Sequence, residues 1–97
     1  MTDTNHTSSA ALTLGEALGN LYAEGTPPPC HGSLLWTSED AEHRAVAAEH
    51  CPACPITAEC LAAAVECREV FGVWAGHDLA KPAGRRAAQA AHEAAAA

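Results

Sequence analysis

The chain has 97 residues and a formal charge of −7, room for one small domain. It is 48% hydrophobic, yet 24 of those residues are alanine, so the large apolar side chains are too few to hold a domain unaided, and a staple is expected. Met1–Ala10 has neither a basic n-region nor an apolar h-region, and no apolar run is long enough to span a membrane; both point to a cytoplasmic chain whose thiols stay reduced, where clustered cysteines mean metal or redox work rather than a disulfide framework.

Residues 1–11 are polar and aperiodic and read as a disordered lead-in. From Thr13, the apolar residues Leu14, Leu18, Leu21 and Tyr22 recur at helical spacing, with Thr13 and Glu16 placed as a capping box. The run Gly25-Thr-Pro-Pro-Pro29 ends that helix and leads stiffly into Cys30, which lowers the entropy lost when a remote thiol is fixed. Leu34, Leu35 and Trp36 form the next apolar clump. Residues 38–50 read as a second helix, with Thr37 or Ser38 as its cap, acids Glu39, Asp40 and Glu42 in its first turn, and a buried face of alanine and Val46. His43 and His50 on it are more simply solvated side chains than ligands.

Cys51-Pro-Ala-Cys54-Pro follows, its prolines keeping the preceding residues out of helix. Thr57 is the expected cap of a third helix reaching about Val70, with Ile56, Leu61, Ala64 and Val65 facing the core. Cys60 lies in its first turn, where free N–H groups favour a thiolate. Cys67 lies two turns further, roughly 10 Å along the axis, too far for the same compact site, and reads as a small buried hydrophobe. Gly72 and Gly76 bracket a bend that presents Trp74. Pro82 opens a last, alanine-rich helix with Lys81, Arg85 and Arg86 near its start and a frayed end signalled by Gly84 and the terminal alanines. The helices make an all-α chain of about four short elements, over residues 12–80 with a weakly basic tail from 81 to 97.

Four thiols in the pattern Cys30-x20-Cys51-x2-Cys54-x5-Cys60, with no carboxylate or histidine pair beside them, suit either structural zinc or an iron-sulfur cluster. A single CxxC, with the third thiol carried away into a helix, favours ligands at separated corners, hence the cluster. The CxxC also raises a thiol-disulfide reductase, although no strand precedes it as a thioredoxin-like context requires.

The CxxC-x5-C unit, the helix beginning Ile56-Thr-Ala-Glu-Cys60-Leu and the turn Gly72-Val73-Trp74-Ala75-Gly76 resemble the WhiB-like family of actinobacteria and their phages. The resemblance covers roughly residues 30–80. It implies a small all-helical bundle around a 4Fe-4S cluster ligated by Cys30, Cys51, Cys54 and Cys60. It also implies a non-enzymatic transcriptional regulator that binds region 4 of the principal sigma factor of RNA polymerase, with oxygen or nitric oxide as signals in many members. Trp74 is then the expected interface anchor, Trp36 the second, and Gly72, Val73, Ala75 and Gly76 the surrounding turn. Lys81, Arg85 and Arg86 would touch promoter DNA. Two departures accompany the likeness: the family turn usually has glycine where Ala75 stands, and three basic residues give a weak, salt-labile grip on phosphates. Ten acids against Arg44 and Arg68 give residues 1–71 a charge of −8, which suits a basic protein partner better than nucleic acid.

Overall fold

The computed structural model describes residues 8–96, so most of the expected lead-in lies outside the described residues. Four α-helices run along the chain: α1 (Ser9–Ala23), α2 (Ala41–His50), α3 (Thr57–Glu66) and α4 (Pro82–Ala96). The protein is mainly helical, as expected, with one addition: the glycine-bracketed bend is a two-stranded antiparallel hairpin, β1 (Val73–Trp74) and β2 (His77–Asp78). Val73 pairs with Asp78 and Trp74 with His77. The connecting Ala75 and Gly76 both have positive φ, 53° and 86°, the signature of a two-residue turn matched to strand twist.

Local chemistry sets the helix ends. α1 begins before Thr13, because the Ser8 hydroxyl accepts from the Ala10 and Ala11 amides at 3.0 and 3.4 Å. It ends where Gly25 turns left-handed and the Thr26 amide reaches the Leu21 carbonyl at 2.9 Å, a Schellman closure. The cap of α2 is Asp40, not Thr37 or Ser38: Leu35–Thr37 forms a 3-10 turn, and Asp40 accepts from the Glu42 amide at 2.8 Å. α3 stops at Glu66, short of Val70, because Arg68 adopts φ 55° and closes a second Schellman motif, its amide on the Val65 carbonyl and that of Glu69 on Ala64. Thr57 does not cap α3; its hydroxyl donates back to the carbonyls of Cys54 (2.7 Å) and Cys51 (3.1 Å), folding the proline-rich link onto the helix start.

The core is in two parts. Trp36, Ala47, Cys51 and Val73 form one cluster, and Ala64, Leu79 and Ala88 the other, with Leu61, Val65 and Trp74 against it. α1 packs across α3, and Ser8 and Glu66 join their far ends at 3.0 Å. The buried face of α2 is Arg44 and Ala47; Val46 is exposed. Arg44 is only 5% exposed. Its Nε donates to Asp78 Oδ1 at 2.8 Å and its NH1 to the Ser38 carbonyl at 2.8 Å, and its guanidinium lies 5.3 Å from the Phe71 ring centroid. This cation ties α2 to the hairpin. Gly84 is not a fraying point: a Cβ there would collide with the Asp78 carbonyl, so glycine lets α4 pass against the end of the hairpin. The helix continues to Ala96. Cys67, expected to be buried, is exposed at the C-cap of α3.

Candidate metal centre

Each of the four spaced cysteines reaches the same place by a different local device. Cys30 sits in a turn in which the His31 amide bonds the Pro28 carbonyl and the Ser33 amide bonds the Cys30 carbonyl. Tyr22 and His31 hold this turn against the end of α1, hydroxyl to Nδ1 at 3.1 Å, with their rings edge to face. Cys51 and Cys54 open and close the 3-10 turn Cys51–Ala53, in which the Cys54 amide bonds the Cys51 carbonyl at 2.9 Å. Cys60 lies in the first turn of α3, its amide bonded to the Ile56 carbonyl at 3.0 Å.

All four line one cavity of about 340 Å³. Leu14 and Leu18 of α1 wall one side, and Gly72, Val73, Trp74 and Ala75 of the hairpin another. The cavity is mainly apolar apart from its sulfurs. Cys67 and the two histidines of α2 do not line it. His43 is exposed and bonds Ser38 at 2.9 Å, while the exposed His50 leans on the Trp36 ring, centroids 6.2 Å apart.

The thiols sense one another. Burial pushes the Cys60 thiol up to about 11, a backbone hydrogen bond from Ala75 opposes the rise, and prospective charge on Cys51, Cys30 and Cys54 adds to it. Cys30 is raised for the same first reason, with its own backbone hydrogen bond opposing and Cys54 and Cys51 adding to the shift. Cys30 and Cys60 thus favour the protonated form, and a cation taking them as thiolates would displace protons.

The donor set is all sulfur, which selects soft, thiophilic metals. Among the described residues, no group of three or more Cys, His, Asp or Glu side chains is arranged to hold one metal ion. Four sulfurs lining one shared cavity suit a thiophilic centre, either an iron-sulfur cluster with one thiolate per corner or a single tetrahedral ion.

The residues expected at a partner surface divide. Trp74 is half-buried, donates its indole N–H to the Phe71 carbonyl at 3.1 Å, and leaves the rest of its ring between the cavity and the second core cluster. Trp36 is no surface anchor: it is 8% exposed, and its indole N–H points to the Cys51 sulfur at 3.4 Å. Val73 is buried beside it. Gly76 backs onto the Ala48 carbonyl and the Cys51 Cβ, each 3.7 Å from where its own Cβ would stand. Of the three cations, Lys81 and Arg86 are exposed, whereas Arg85 is partly buried and donates to the Leu79 carbonyl at 2.7 Å. Sequence reasoning missed the Arg44–Asp78 pair; its signal was an arginine on the stripe Arg44, Ala47, Ala48, Cys51, spaced i, i+3, i+4 and i+7.

No helix among the described residues is long and apolar enough to cross a membrane. No solved structure matches the chain significantly. Among curated proteins, the chain is 42% identical over 53 residues to Transcriptional regulator WhiB7 of Mycolicibacterium smegmatis, covering 53% of this chain and 52% of that protein. It is 42% identical over 50 residues to Probable transcriptional regulator WhiB7 of Mycobacterium tuberculosis, covering 50% of this chain and 54% of that one. The matched stretch thus spans about half the length of these relatives. The sequence profile of the family described as Transcription factor WhiB matches residues 25–91, a stretch that takes in all four cavity cysteines and the hairpin, and the chain belongs to that family.

Proposed function

We propose that this chain is a transcriptional regulator, not an enzyme, that holds a 4Fe-4S cluster through Cys30, Cys51, Cys54 and Cys60 and works by binding region 4 of the principal sigma factor of RNA polymerase in the cytoplasm. The observation that carries the reading is the convergence of four cysteines, one of them twenty-one residues upstream of the next, on one apolar cavity that shares its wall with Trp74. When bound, the cluster supplies a redox-active, oxygen- and nitric-oxide-sensitive group. The chain's own residues do the rest. Helix α3, which carries Cys60, packs on the strand that carries Trp74, so a change at the sulfur site would reach the surface that Trp74 presents. The net charge of −7 steers the encounter toward a basic module such as a sigma-factor DNA-binding region. A half-buried tryptophan is the kind of side chain on which interface energy concentrates. DNA contact is secondary, through exposed Lys81 and Arg86 and the more constrained Arg85, and so is salt-labile.

Anaerobic co-expression with the host's principal sigma factor, followed by pull-down and iron and sulfide analysis, tests the reading. Co-purification with about four irons and four sulfides per chain is expected. One zinc and no visible colour would replace the cluster by a structural ion. Trp74→Ala should abolish co-purification while the cluster absorption survives.

A further inference from the structure

Trp36 is a large side chain whose one polar atom has gone to an unusual acceptor. A buried indole N–H needs a partner, and tryptophans ordinarily find an oxygen. Trp74 does so, at the Phe71 carbonyl. Trp36 instead directs Nε1 at the Cys51 sulfur, 3.4 Å away, with both residues buried, at 8% and 7% exposure. The ring is held there by the 3-10 turn Leu35–Thr37 and by Ala47 and Val73, and His50 covers one face. This orientation is built by packing.

The sulfur has a second contact, a long one of 3.9 Å to the Ala47 carbonyl, which a protonated thiol makes by donating. The Trp36 N–H is the shorter of the two contacts, and a hydrogen bond to an acceptor carrying negative charge, as a ligating sulfur does, is the stronger kind. Donors to a ligating sulfur withdraw charge from the centre and favour its more negative state.

We propose that Trp36 is a positioning residue of the sulfur site: its indole N–H orients the Cys51 sulfur as a ligand and raises the reduction potential of the cluster bound there. The inference rests on the cluster reading above. The step concerned is addition of one electron, supplied by a reductant such as dithionite, with no bond made or broken and no proton taken up. The added negative charge is what the N–H stabilises.

Anaerobic redox titration of wild type, Trp36→Phe and Leu35→Ala tests it, after iron and sulfide have been counted in each. Leu35 packs on the same core cluster, so Leu35→Ala loosens the packing and keeps the donor. Trp36→Phe should hold its iron yet show a reduced-to-oxidised ratio about tenfold lower at a fixed potential, a midpoint lower by about 59 mV for a one-electron couple. Leu35→Ala, which keeps the N–H, should lower the midpoint by clearly less than Trp36→Phe does. If Trp36→Phe fails to retain iron, replacement of Trp36 by its sulfur isostere benzothienylalanine keeps the shape and removes only the N–H, and the same lowering is expected. An unchanged midpoint in an iron-loaded chain lacking the N–H overturns the role of Trp36 and leaves the cluster reading standing. Iron-free wild type overturns both.

Discussion

Ala75 holds a backbone angle of +53°, in the left-handed region that L-residues other than asparagine and aspartate avoid. The conformation costs alanine about 1–2 kcal/mol, and glycine would avoid it while giving back about 0.4–1 kcal/mol through its freer unfolded chain. Ala75→Gly should therefore raise stability by up to about 1.5 kcal/mol, read as a higher urea midpoint at unchanged slope; a lower midpoint would contradict the turn described here. Alanine at this place was visible in the sequence as a departure from the family pattern, and the positive φ gives that departure its physical meaning. Cys67 is the counter-example. Helical spacing placed it away from the other thiols, and it does not line the cavity, but its exposure depended on α3 ending at Glu66. That end is set by Arg68 turning left-handed, a conformation that an arginine does not announce.

At the level of elements, α2 and the hairpin are joined by a buried ion pair, Arg44 with Asp78, their side chains 7% and 13% exposed. Asp78 also accepts from the Ala80 amide at 3.1 Å, while its Oδ2 is buried without a partner among the described residues. Removing one member of such a pair strands the other in low dielectric, at a cost of about 3–5 kcal/mol, whereas removing both with apolar replacements is often neutral. Asp78→Ala should thus be strongly destabilising, and Arg44→Met combined with Asp78→Ala should recover most of the loss, as a double-mutant cycle in urea would measure. Nearby, Gly84→Ala pits a gain of about 1 kcal/mol in helix propensity against overpacking on the Asp78 carbonyl worth about 1–3 kcal/mol. We expect a net loss and a lowered thermal midpoint. The four helices were legible because apolar spacing, prolines and glycines punctuate them, whereas the caps expected for the first three were not the ones used. The buried face of α2 was not: alanine offers almost no contrast between faces, so Val46 drew the assignment and Arg44, the side chain that packs, passed as an ordinary surface charge. The four cysteines were legible for the opposite reason, being rare, reactive and spaced.

Across the whole molecule, the sulfur site is assembled from distant pieces: a turn after α1, the link into α3, the start of α3 and the hairpin. α1 lies before the stretch matched to the family profile, yet its Leu14 and Leu18 form one wall of the cavity, and it is moored along α3 as far as the Ser8–Glu66 bond. Under the proposed reading, a chain trimmed to begin at Gly25 keeps all four thiols and should still take up iron anaerobically, but its visible absorption should bleach faster in air. Equal bleaching of trimmed and full chains would show that α1 gives the site no cover. The consequence concerns time more than affinity. On the proposed reading, the cysteines would decide whether a centre binds and a leucine-faced helix laid over them how quickly a diffusing gas arrives, so the speed of the response would be adjustable by substitutions in α1 that touch no ligand.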